Sequence, residues 1–109
     1  MNRRVVVTGT GVISPVGNNV ESFWKNLIEG YCGIDHITDF PTDDLPVKIA
    51  GQVKDFNPSD YEIEAPFARK QDKFTLYAVA AAWQAVRESG LSAAEGGNRD
   101  PFRLGVYVG

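Results

Sequence analysis

The sequence holds one cysteine, Cys32, and one histidine, His36. A lone cysteine makes no internal disulfide, and one cysteine with one histidine falls short of the ligand set of a structural zinc site. A reducing cytoplasm is therefore the expected compartment, and no metal or other cofactor is expected. Positive charge is also in short supply: eleven Lys and Arg stand against fourteen Asp and Glu, for a net charge of -3. That balance lacks the electrostatic footprint of a nucleic-acid-binding domain and leaves room only for a local basic patch. Long apolar runs are missing as well. The longest, Phe74 to Val86, contains Thr75 and Gln84 and is shorter than the ~20 residues needed to span a bilayer, so no membrane insertion is expected. Arg3-Arg4 at the start is followed only by Val5, Val6 and Val7 before Thr8-Gly9, too few for the apolar region of an export signal. What is present, 43% apolar and 11% aromatic residues, is the composition of a soluble globular domain. At 109 residues a compact fold would bury roughly 65% of its unfolded surface.

Arg4-Val5-Val6-Val7-Thr8 is β-branched without alternation, the pattern of a strand covered on both faces, and predicts a strand over about 3–9. Gly9-Thr10-Gly11 and the Pro- and Asn-bearing stretch to Asn19 then demand turns. Val20, Phe23, Trp24, Leu27 and Ile28 recur at helical spacing and predict a helix over about 19–29, capped by Asn18 or Asn19 and stopped by Gly30. Residues 31–64 are rich in Asp, Pro and Gly and read as a loop-rich excursion with a strand candidate at 48–53. Its recurrent apolar residues, Ile34 to Phe56, require that it pack onto something. A second helix is expected over about 73–89, with Asp72 as cap and Gly90 as stop. It is apolar nearly all round and carries five alanines, so it is expected to be buried between layers. After a polar loop at 92–101, Leu104 to Gly109 predicts another buried strand, over about 103–109. A buried helix with too little to wrap it, next to a strand at the end of the chain, suggests the front part of a larger α/β fold.

Three constellations invite a chemical reading. Strand, Gly9-x-Gly11 and helix resemble a phosphate-binding turn, but the third fingerprint position is Ser14, Pro15 follows, and the helix begins too late, so a tight turn is the better reading. Cys32 and His36 lie four apart, yet Cys32 follows a helix C-terminus, where the dipole disfavours a thiolate, so neither is expected to be catalytic. Asp39, Asp43 and Asp44 in a Pro-bounded loop read as a solvated face. Arg69-Lys70-Gln71-Asp72-Lys73 is the one locally basic segment. It places cations where the second helix begins, against the helix dipole, and so points to an acidic partner as readily as to plain solvation.

Several ordered motifs carry a resemblance over residues 3 to 109. They are Arg3 to Gly17 (RRVVVTGTGVISPVG), the Trp24 helix closing at Gly30 with Gly33-Ile34, Ala50 to Phe56 (AGQVKDF), Arg69 to Phe74 (RKQDKF), Glu88-Ser89-Gly90-Leu91 and Arg103 to Gly109 (RLGVYVG). In this order and spacing the chain resembles the opening of the β-ketoacyl-acyl-carrier-protein synthases, most of all the type II condensing enzymes of bacterial fatty acid synthesis. Gln71 stands where the family usually has methionine, and Pro66 leaves uncharged a position that is otherwise near the family's basic patch.

The resemblance implies a thiolase-like fold, a five-layered α-β-α-β-α sandwich of two similar halves, of which these residues are the incomplete N-terminal part. It implies an acyltransferase of fatty acid biosynthesis, a 3-oxoacyl-[acyl-carrier-protein] synthase that condenses an acyl-enzyme thioester with malonyl-acyl-carrier protein and acts as a homodimer. It also implies that the nucleophilic cysteine and two histidines lie beyond residue 109, so that these residues alone are inactive. Arg69 and Lys70 match the patch that receives the acidic acyl carrier protein. A polyketide ketosynthase or chain-length factor of the same fold is the nearest alternative. A nucleotide-binding or non-catalytic interaction domain is the alternative of another class.

Overall fold

The computed structural model describes residues 2–91, 97 and 99–109, so the polar loop expected at 92–101 lies largely outside the described residues. In chain order it contains α1 (Val20–Ile28), β1 (Ile34–His36), β2 (Ile49–Gly51), a 3-10 turn (Pro58–Tyr61), α2 (Ala65–Ala68), α3 (Lys73–Ser89) and a second 3-10 turn (Pro101–Arg103). Asn19 starts α1: its backbone is extended and its side chain accepts the Ser22 N–H at 2.8 Å. Gly90 ends α3 in the left-handed conformation at φ 72°, where a Cβ would be strained. Asp72 does not cap α3 with its side chain, contrary to expectation. The Asp72 carbonyl instead accepts the N–H groups of Thr75 and Leu76 at 3.1 and 3.2 Å.

Within the 31–64 excursion, β1 and β2 form an antiparallel pair in the register Ile34–Gly51, Asp35–Ala50 and His36–Ile49. The excursion returns to α3 through the 3-10 turn, where the core sits. Ile63, Leu76 and Ala80 are its buried members, flanked by Ile13, Phe56, Tyr61 and Ala68. Aromatic contacts extend it: Phe56 stacks on Tyr61 at 5.5 Å between centroids and meets Tyr77 edge-on at 4.9 Å, and Tyr61 meets Trp83 edge-on at 5.8 Å.

The N-terminal segment runs along α3 at very close range. A Cβ on Gly9 would overlap the carbonyl oxygen of Ala85, and one on Gly11 would overlap that of Ala81. Glycine facing alanine is what lets the two backbones approach so closely. Gln84 then supplies what a neighbouring strand would supply: its carboxamide oxygen accepts the Val12 N–H at 3.2 Å, and its NH2 donates to the carbonyls of Val12 and Asn18 at 3.2 and 2.8 Å. One turn later, Glu88 accepts from the N–H and hydroxyl of Thr10 at 3.4 and 3.5 Å.

Two expectations need correction. Residues 3–9 and 103–109 make no ladder among the described residues, and Val5 and Tyr107 are 92% and 97% exposed. A strand is defined by a neighbouring strand ~4.8 Å away, and among the described residues no strand pairs with either segment. Nor is α3 buried all round: only Leu76 and Ala80 are, while Phe74 is 73% exposed. The whole chain is correspondingly open. It exposes 9117 Å², where a compact chain of its mass would expose about 5,900 Å², so about half of the unfolded surface is buried rather than two thirds. Its radius of gyration is 17.4 Å, against about 13 Å for a closed domain of this length.

Candidate functional site

The corner between α2 and α3 brings most of the chain's basic segment together. Pro66, in the first turn of α2, pre-sets the backbone of this four-residue helix. Successive bonds from Arg69 N to Ala65 O (3.0 Å) and from Lys70 N to Phe67 O (3.0 Å) tighten its exit. Arg69 and Lys70 are left on an exposed turn, and neither has a carboxylate partner among the described residues. Exposed Phe67 and Phe74 flank them in sequence. The corner is therefore a cationic turn bordered by aromatic rings.

Lys73, the first residue of α3, behaves differently. Its ammonium pairs with Asp39 at 2.5 Å, with 66% and 46% of the two side chains exposed. The hydrogen bond from Lys73, with a second from Gln52, holds the Asp39 carboxyl below its ordinary range, and the same contact raises Lys73. The pair thus persists through neutral pH. It is lost as pH falls through the lowered Asp39 value or rises through the raised Lys73 value. Asp39 is therefore not simply part of a solvated face, whereas Asp43 and Asp44 are exposed as expected. Lys73 and Asp39 are 34 residues apart, and no local pattern in the sequence signals their meeting.

Cys32 and His36 are not assembled into a reactive pair. Cys32 is exposed beyond the C-terminal end of α1, and its thiol reaches only the Ile34 carbonyl at 3.8 Å. His36 sits exposed on β1. The Gly9-x-Gly11 turn faces the side of α3 at Ala81 and Ala85. It therefore lacks the converging N–H groups of a helix N-terminus that a phosphate requires.

A second feature lies on α3 itself. Val79, Ala82, Trp83 and Val86 line an open groove of about 680 Å³ rimmed by Glu62 and Arg87. The Trp83 indole donates to Glu62 at 3.2 Å, and the Arg87 guanidinium lies 4.9 Å from the Trp83 ring centroid. The four-residue spacing of Trp83 and Arg87 was visible in the sequence, whereas the contribution of Glu62 is tertiary.

Residues 2–109 match the β-ketoacyl synthase N-terminal domain family. The chain is 43% identical over 108 residues to a 3-oxoacyl-[acyl-carrier-protein] synthase 2 of Staphylococcus aureus (strain COL), covering 99% of this chain and 25% of that protein. It is 47% identical over 107 residues to the protein of the same name from Vibrio harveyi, covering 98% of this chain and 25% of that one. A solved structure, the ishigamide ketosynthase/chain length factor, superposes with a TM-score of 0.74 at 39% identity, over 84% of this chain and 23% of its own. The chain thus spans about a quarter of the length of the curated relatives it matches.

Proposed function

Because this chain belongs to the β-ketoacyl synthase family and carries the N-terminal part of its thiolase-like α/β fold, we propose that it works within a 3-oxoacyl-[acyl-carrier-protein] synthase of fatty acid biosynthesis. The single observation that carries this reading is the match across nearly the whole chain to two synthases of that name. In the reaction an acyl group passes from its carrier protein to a cysteine thiolate. Malonyl-carrier protein then loses CO2, and the resulting carbanion attacks the acyl thioester. A carbon–carbon bond forms, the carbon–sulfur bond breaks, and the cysteine thiolate is regenerated.

The chemistry itself belongs to residues beyond 109. The reaction calls for a thiolate at a helix N-terminus and two histidines, whereas these 109 residues contain one histidine and an exposed cysteine at a helix C-terminus. Replacement of Cys32 by Ser in the full-length synthase should therefore change turnover by less than tenfold, about 1.4 kcal/mol of barrier. Loss of acyl-enzyme formation in that variant would restore Cys32 as a candidate nucleophile.

The part played by these residues is docking. Acyl carrier protein is the proposed partner, received at the cationic turn of Arg69 and Lys70. A second copy of the full chain is proposed to complete a homodimer, and the cytoplasm is the proposed compartment. Among the described residues, no helix is long and apolar enough to cross a membrane. Replacing both Arg69 and Lys70 by Glu in the full-length synthase should lower kcat/KM for carrier-protein substrates about tenfold or more at low salt and much less at high salt, because steering by exposed charge is screened. Acyl-pantetheine substrates lack the partner surface and should turn over at the wild-type rate. An equal loss with both kinds of substrate would remove the docking role.

One observation favours a second reading, a polyketide ketosynthase or chain-length factor: the similarity to the ishigamide ketosynthase/chain length factor. A cysteine at the nucleophile position of the full chain marks an enzyme, and any other residue there marks a chain-length factor.

A further inference from the structure

The three cations at the entrance of α3 are not equivalent. Arg69 and Lys70 have no carboxylate partner among the described residues, while Lys73 is engaged by Asp39 at 2.5 Å. Asp39 reaches it from just beyond β1, 34 residues earlier in the chain. The neighbouring residue is held there: the amide oxygen of Gln52, just past β2, accepts the Thr38 N–H at 2.9 Å. The hairpin thus delivers a negative charge to the edge of a positive docking surface. Both side chains remain exposed, so the pair is screened by solvent: it is the resting arrangement, yet weak enough to be displaced.

We propose that Asp39 is a built-in competitor for the docking surface: by occupying Lys73 it limits the cations offered to an acidic carrier protein to Arg69 and Lys70. The inference rests on the docking role proposed above for those two residues. Lys73 lies one short turn from Lys70, within reach of the same partner, and its charge is cancelled locally by a carboxylate of this chain. Association with an acidic partner is thereby held below the rate that the number of basic residues in the segment would give. Such restraint suits a carrier protein that must leave after each transfer, because product release needs a docking surface that lets go.

The test measures association of acyl carrier protein with the full-length synthase by stopped flow at low and high salt. The variants are Asp39→Asn, Lys73→Met, the combination of the two, and the Arg69→Glu/Lys70→Glu pair. Asp39→Asn should raise the association rate about threefold at low salt, with the gain fading at high salt. Lys73→Met alone should lower it by about the same factor, since it leaves the Asp39 carboxylate uncompensated at the edge of the docking surface, and the combined variant, again neutral at this pair, should return to the wild-type rate. Turnover of acyl-pantetheine by each variant reports that the fold is intact. Two results would overturn the proposal: no gain in Asp39→Asn, or a gain that survives in the combined variant, which would show that Asp39 acts other than through Lys73. Failure of the docking role itself would look different, because the Arg69→Glu/Lys70→Glu pair would then associate at the wild-type rate.

Discussion

Purified by itself, the 109-residue chain should melt without a cooperative transition, bind hydrophobic dyes and self-associate at micromolar concentration. The expectation follows from surface. The chain exposes 9117 Å², some 3,000 Å² above the scaling for a compact chain of its mass, whereas the largest apolar patch on an ordinary monomer is about 300–600 Å². Phe74, Val79 and Val86 on α3, Trp24, Leu27 and Ile28 on α1, and the whole of Val5–Val7 lie in that open surface. The buried core, Ile63, Leu76 and Ala80, is too small to balance the conformational entropy of ordering so many residues. Helical circular dichroism can persist without fixed tertiary packing, so the decisive readouts are cooperativity and mass. A sharp, concentration-independent, monomeric melt would show that the exposed apolar surface is covered in some other way.

The second large effect belongs to Gly11. Gly11→Val in the full-length synthase should cost about 3 kcal/mol or more of unfolding free energy, at or above the upper end of overpacking penalties. A Cβ at this position meets backbone, the Ala81 carbonyl, and also lies 2.9 Å from Gln84 Cβ, and no rotamer change relieves a backbone overlap. Moving the segment away would in turn break the bonds between Gln84 and Val12. Gly30→Ala provides the comparison. Its Cβ would meet nothing within 4 Å, and only the left-handed φ of 73° opposes it, so about 1 kcal/mol is expected there. Chemical denaturation of the two variants checks the order. A Gly11 loss no larger than the Gly30 loss would contradict the close packing of the N-terminal segment on α3.

The two longer helices were legible because their information is local. The spacing of Val20, Phe23, Trp24, Leu27 and Ile28 reads as a helix, and one forms over Val20–Ile28. The Phe74–Val86 pattern reads likewise and lies within Lys73–Ser89. Gly90 stops its helix as glycine at that position should, whereas Asp72, a good capping residue by type, leaves capping to its carbonyl. Of the two three-residue strands, β2 lies inside the 48–53 candidate, whereas β1 escapes such reading because a strand so short shows no period and only its pairing defines it. The Val5–Val7 run shows the converse: strong β-propensity marks a segment suited to a sheet, but a strand also needs a neighbour, and propensity says nothing about where that neighbour is.

At the site, Arg69 and Lys70 stood out because the cations are contiguous in a chain otherwise short of them. The Lys73–Asp39 pair and the bridge from Gln84 to Val12 were invisible because they join residues 34 and 72 positions apart. Gln84 illustrates the difficulty. In the sequence it is a polar interruption of an apolar helix, and in the fold it is the side chain that satisfies the backbone of the N-terminal segment.

The proposal that this chain works within a carrier-protein-dependent condensing enzyme is tested most directly by incubating the full-length protein with acyl-carrier protein and malonyl-carrier protein and following both products. CO2 and 3-oxoacyl-carrier protein should appear in equal amounts, with the acyl group recovered on a cysteine beyond residue 109 when malonyl-carrier protein is withheld. Absence of both products and of the acyl-enzyme, from a protein shown to be folded, would contradict it.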